Sequence, residues 1–183
     1  MAESSNLPTH PRLVTGRLDA LDFQARTLKL KLANGRMLSG TYSEDFEPVL
    51  LENPREWIQV RGEAVLNEDD SPHALNNITE IIAVDENPIV VSSLMIDGAT
   101  RSVVRPLEFA VSFDRSEGIY TAVGDFHMMV SADTREELKA AIDGALIFLW
   151  REYAVSDPRN FSTDALTLRE QLTKTFPGAA DAA

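Results

Sequence analysis

The chain has 183 residues, with 17 Lys and Arg against 29 Asp and Glu, a net charge of −12 and no cysteine. Lacking any thiol or thiolate ligand, it cannot be a disulfide scaffold, a zinc ribbon, an iron–sulfur protein or a cysteine enzyme. Its acidity disfavours nucleic acid except at a local basic patch.

Residues 1–11 are polar, contain two prolines, and read as a disordered lead-in, neither signal nor anchor. The longest apolar run, residues 145–150, is far shorter than the roughly 20 residues that span a bilayer, so the expected location is the cytoplasm. Over residues 12–86 the pattern is that of short strands. Leu28, Leu30 and Leu32 alternate with Thr27, Lys29 and Lys31, the period of two of a half-buried strand. Asn34-Gly35 follows, a type I′ hairpin signal that folds residues 36–43 back as the partner strand. Residues 44–52 predict a short helix or turn, 58–66 a long strand, 68–72 a solvated loop, and 78–84 a last strand. Gly16, Gly40 and Gly62 fall on apolar strand faces, where bending or close backbone approach calls for glycine. Five strands with a helix after the third predict a small closed barrel, OB-like or SH3-like.

At Asn87-Pro88 the rhythm changes, which places a domain boundary there. Residues 89–96 predict a strand ending at the Asp97-Gly98 turn. Leu107, Phe109, Val111 and Phe113 alternate with polar or small residues, and strands are expected over 119–126 and 128–132. Thr134 to Glu137 form a capping box, opening a helix to about residue 154 with Leu138, Ala141, Ile142, Ala145, Phe148 and Leu149 on its buried stripe. A shorter helix starts near Asp164, carrying Ala165, Leu168, Leu172 and Phe176, and residues 177–183 read as a disordered tail. The fold class is therefore α+β: a five-stranded barrel over 12–86, then an antiparallel sheet with one long and one short helix over 87–176.

Chemistry is sparse. His10, His73 and His127 have no serine elbow to serve, and His127 reads as a residue filling or bordering the sheet. Asp114, Asp125 and Asp143 would bind magnesium only by converging on one face, and loop or strand-end positions are the simpler reading. No catalytic, cofactor or metal site is expected. The basic cluster is Lys29 and Lys31 with Arg17, Arg26 and Arg36 nearby, on the expected outer face of the barrel. Binding a single strand there would also need stacking aromatics, for which Phe23 and Tyr42 are the candidates. The surrounding block has 8 basic and 14 acidic residues, so a plain charged strand face is the simpler reading.

The end of the long helix, Ala145-Leu146-Ile147-Phe148-Leu149-Trp150, is apolar almost all round, so a single core face cannot cover it. Either the following helix docks there, or Ile147 and Trp150, with Phe126 and Met128, meet a partner or a second copy.

Residues 107–153, "LEFAVSFDRSEGIYTAVGDFHMMVSADTREELKAAIDGALIFLWREY", resemble HicB-type antitoxins in three strands followed by the helix opening Ala132-Asp133-Thr134-Arg135-Glu136-Glu137-Leu138. The resemblance covers about a quarter of the chain and implies a partial RNase H-like unit without nuclease activity, which binds a small basic toxin. Where that family has a Pro- and Gly-rich loop, this chain has Gly124-Asp125-Phe126-His127. No ribbon-helix-helix or helix-turn-helix follows, and the barrel has no counterpart in the family. The expected function is a non-enzymatic protein-binding module pairing with a basic protein. The alternatives are a barrel that binds single-stranded nucleic acid and a structural or oligomerisation protein.

Overall fold

The computed structural model describes residues 10–69 and 71–177. The expected lead-in lies outside the described residues except for His10 and Pro11, which open the first strand opposite Ala64 and Glu63. The expected tail lies outside them except for Pro177. Two compact units divide the described residues: those of 10–85 with 115–118, and 86–114 with 119–177.

The first unit is a closed barrel of β1 (His10–Asp22), β2 (Thr27–Lys31), β3 (Met37–Thr41), β4 (Trp57–Leu66) and β5 (Pro72–Ala83). The closed order is β1-β2-β3-β5-β4, with β4 pairing back to β1. The contact between β3 and β5 is parallel and every other pairing antiparallel. A short helix α1 (Glu47–Glu52) lies between β3 and β4, and with this order it makes the barrel OB-like. Alternation sends Leu28, Leu30, Leu38, Ile58 and Val60 to the inside, where Leu50 of α1 joins them in one buried cluster. Each such side chain contributes about 1.5–3 kcal/mol on leaving water.

Two local features differ from the sequence reading. The β2–β3 hairpin forms, yet Asn34-Gly35 is not its type I′ pair. Gly35 alone takes positive φ (81°), and its N–H donates to Leu32 O at 2.9 Å. That is a type I turn followed by a left-handed residue, and the Asn34 side chain accepts from the Arg36 N–H. Strand β5 begins at Pro72, ahead of the expected residue 78, because a register shift opposite Arg61 and Glu63 lets β4 pair along its whole length. Gly62 sits at this shift: a Cβ there would lie 2.9 Å from Asn76 O.

The second unit is an antiparallel sheet ordered β6-β7-β8-β9: β6 (Ile89–Ile96), β7 (Ala99–Asp114), β8 (Ile119–Val123) and β9 (Met129–Ala132). Asp97 and Gly98 link β6 to β7 with φ of 51° and 78°, the two consecutive positive values of a type I′ turn. Helix α2 (Arg135–Leu149) starts on the expected capping box, with the Glu137 N–H donating to Thr134 Oγ1 at 3.1 Å and the Thr134 N–H to Glu137 Oε2 at 3.2 Å. Its buried residues are Leu138, Ile142 and Leu146, spaced by four. Phe148, expected on this stripe, is instead 59% exposed, because successive steps of four rotate the stripe away from it. A single π-helical turn, Trp150–Val155, continues α2, and α3 (Thr163–Thr175) follows after Ser162 caps it. Among the described residues no helix is long and apolar enough to cross a membrane.

Candidate functional site: the open face of the sheet

Pairing register and burial together sort the second sheet into two faces. Ile89 opposite Phe109, Val91 opposite Leu107, and Phe113 opposite Tyr120 form the covered face, against which α2 packs. The alternate residues form the open face. Across β7, β8 and β9 one row is Ala110, Val123 and Met129, and the next is Ser112, Thr121 and Ser131. Val90 lies opposite Glu108. Val123 is 51% exposed and Met129 72% exposed.

This face carries no Lys or Arg in those rows. Its hydroxyls bond within the face: Ser112 Oγ donates to Thr121 O at 3.5 Å, and Thr121 Oγ1 lies 3.0 Å from Ser131 Oγ. A polar row that satisfies itself loses little when water is removed. Along β7 the open side reads Glu108, Ala110, Ser112, Asp114: carboxylates at both ends and small residues between them.

The residues singled out at the end of α2 sit differently. Trp150 is 1% exposed, its ring 5.8 Å from that of Phe176 in edge geometry and covered on another side by the Arg101 guanidinium at 5.2 Å. Arg169 of α3 donates to Tyr153 O at 3.0 Å and to Ser156 O at 2.6 Å, which satisfies carbonyls left over where the helix ends. Helix α3 therefore covers the second apolar side at Trp150. Ile147 stays half-buried, Met128 is buried and Phe126 is half-buried.

The segment expected to extend β8 to residue 126 turns instead. Residues Asp125–His127 form a single turn with Phe126 at φ 60° and His127 at φ 55°, a conformation closed by the Met128 N–H donating to Asp125 O. His127 is exposed there and does not fill the sheet. Gly124 precedes the turn at φ −163°, and a Cβ on it would fall 2.4 Å from the Phe109 ring. This turn, β7 and α3 line a cleft of about 690 Å³ that holds Arg105, His127 and Lys174 with Glu108 and Asp125. Among the described residues no three His, Asp or Glu group together as metal ligands, so Asp114, Asp125 and Asp143 do not converge. Burial pushes the Asp143 carboxyl up from its ordinary value, and Lys139 partly offsets it.

On the barrel, Arg17, Lys29 and Lys31 are exposed on the outer face, with Arg17 opposite Lys31. Arg36 pairs with Asp69 at 3.0 Å, and Arg26 pairs with Glu44, so these two are engaged. Phe23 is 44% exposed in the β1–β2 turn. Tyr42 is buried, its hydroxyl without a hydrogen-bond partner, and burial followed by the Glu47 charge raises its pKa; it cannot stack on a base. No family model and no curated protein matches the chain.

Proposed function

We propose that the chain is a non-enzymatic protein-binding module of antitoxin type, acting in the cytoplasm, whose open sheet face receives a small basic protein. The observation that carries this reading is the face itself, an uncharged centre of Ala110, Val123 and Met129 between the carboxylates of Glu108 and Asp114. Apolar centres supply affinity, while flanking charge steers the encounter and selects the sign of the partner. A second copy fits the face poorly, since two chains of net charge −12 repel and bring like carboxylates together. The resemblance over residues 107–153 adds the expectation that the basic partner is an RNA-cutting toxin. In this reading Trp150 supports the covered side of the sheet, and contact is made on the other side.

The gene beside this one should encode a small basic protein, and co-expression should yield a complex stable through size exclusion. Val123→Lys and Met129→Lys should weaken that complex at least tenfold without lowering Tm, because exposed positions tolerate substitution to within about 0.5 kcal/mol. Phe148→Ser, exposed on α2, should leave it intact. Failure to form a complex, a complex indifferent to residues 123 and 129, or assembly of the chain with itself through them would each overturn the proposal.

A further inference from the structure

The outer wall of the barrel carries a second surface with a different chemistry. Cross-strand pairing places Trp57 of β4 opposite Arg17 of β1, Arg17 opposite Lys31 of β2, and Lys31 opposite Met37 of β3. One row therefore crosses four strands, with a half-buried indole at one end and an exposed thioether, 45% accessible, at the other. Neighbouring strands lie about 4.8 Å apart, so the row is roughly 14 Å long. Lys29, opposite Ser39, adds a third cation on the same face of β2.

We infer that this row binds a single strand of nucleic acid, with the bases against Trp57 and Met37 and the phosphates on Arg17, Lys29 and Lys31. The two requirements of such a site are cations that track a backbone and an aromatic ring on which any base can stack; here Trp57 is the ring, and Met37 adds apolar contact. Sequence order hides the second, because Trp57 is far from the lysines along the chain and only barrel closure brings β4 against β1. Asp19 lies 3.8 Å from Arg17, and both are about half exposed, so water weakens that pair. With three cations and an acidic molecule around them, binding should be micromolar or weaker at low salt and should fall steeply as salt rises. Neutralising three phosphates of a single strand gives a slope of about −2 in log K against log salt. The surface shares no residue with the open face of the second sheet, so each assignment stands or falls alone.

The test is fluorescence anisotropy of the full chain with labelled oligothymidylate and oligouridylate over a salt series, alongside intrinsic tryptophan emission. Trp150 is buried, so quenching by bound bases should come from Trp57. Both oligonucleotides should bind within a few-fold of each other. Lys31→Gln should reduce the slope by about 0.7. Trp57→Leu should weaken binding roughly tenfold and abolish quenching. Because Trp57 is partly buried, Met37→Ala, at an exposed position, serves as a second variant that should weaken binding with little change in Tm. No binding at low salt, binding unchanged in Lys31→Gln and Met37→Ala, or preference for duplex over single strand would overturn the inference.

Discussion

The barrel wall and the open sheet face are both solvent-facing β surfaces of one chain, yet they are built from opposite materials. On β1 and β2 the outward residues include Arg17, Asp19, Lys29 and Lys31, whereas on β7, β8 and β9 they are Ala110, Ser112, Thr121, Val123, Met129 and Ser131. A barrel closes its hydrogen-bonding edges and buries its inward side chains in itself, so its outer wall is free to be charged. The second sheet buries one face under helices and leaves the other with an uncharged centre between Glu108 and Asp114. The difference teaches that alternation tells which residues point outward, and only their chemistry tells whether water or another molecule faces them.

The largest expected effect comes from removing what covers the sheet's other face. Trp150→Ala deletes a fully buried indole along with its contacts to Phe176 and Arg101, and should cost about 3–5 kcal/mol in denaturant unfolding. If Trp150 instead belonged to an interface open in the free chain, the loss would be small and the comparison between faces would need redrawing.

A smaller effect separates the two units by how each uses close packing. Gly124→Ala would place a methyl 2.4 Å from the Phe109 ring, at the end of the strand that carries Val123. Gly62→Ala would meet Asn76 O at 2.9 Å inside the barrel ladder. Overpacking of this kind costs about 1–3 kcal/mol. Gly124→Ala should be the worse of the two and should also weaken partner binding at the open face, whereas Gly62→Ala should leave that binding unchanged. Thermal melts with a binding assay on each variant check both halves of the statement.

Much of this was legible from residue order, because period and caps are local. Leu28 and Leu30 announce a barrel strand, and Thr134 with Glu137 announces the start of α2; both signals act within a few residues. What order does not carry is which elements meet. Phe148 and Trp150 both sit in an apolar helix end; steps of four from Leu138 rotate the buried stripe to Trp150 and away from Phe148, and the placement of α3 adds Phe176 against the Trp150 ring. The turn at Phe126 and His127 interrupts an apolar alternation that reads as continued strand, and Phe126 in particular is a bulky residue type that rarely takes positive φ. Trp57 gains its neighbours Arg17 and Lys31 from barrel closure, a pairing between distant segments. The open sheet face was hidden for a plainer reason: alanine, serine and threonine in strands read as ordinary solvated alternation until register lines them up in rows.

The smallest effect tests the charged surface through pH. Asp69, in the β4–β5 loop, accepts from the Ser71 hydroxyl, from the Arg36 guanidinium at 3.0 Å and from the Ser71 N–H at 3.1 Å, which together lower its pKa to about 2. A carboxyl whose folded pKa lies below its ordinary value of 3.8 stabilises the fold above that value and loses the contribution as pH falls toward 2. Asp69→Asn should therefore lower Tm slightly at neutral pH, and the gap from the parent chain should close as pH drops through this window. The side chain is more than half exposed, so water screens the pair and the gap is small at its widest. No carboxylate with this signature lies in the central rows of the open sheet face, and Val123→Thr in the same titration should track the parent at every pH. A variant there whose Tm diverged with acid would mean that the face is held by charge, and the contrast between the two surfaces would fail.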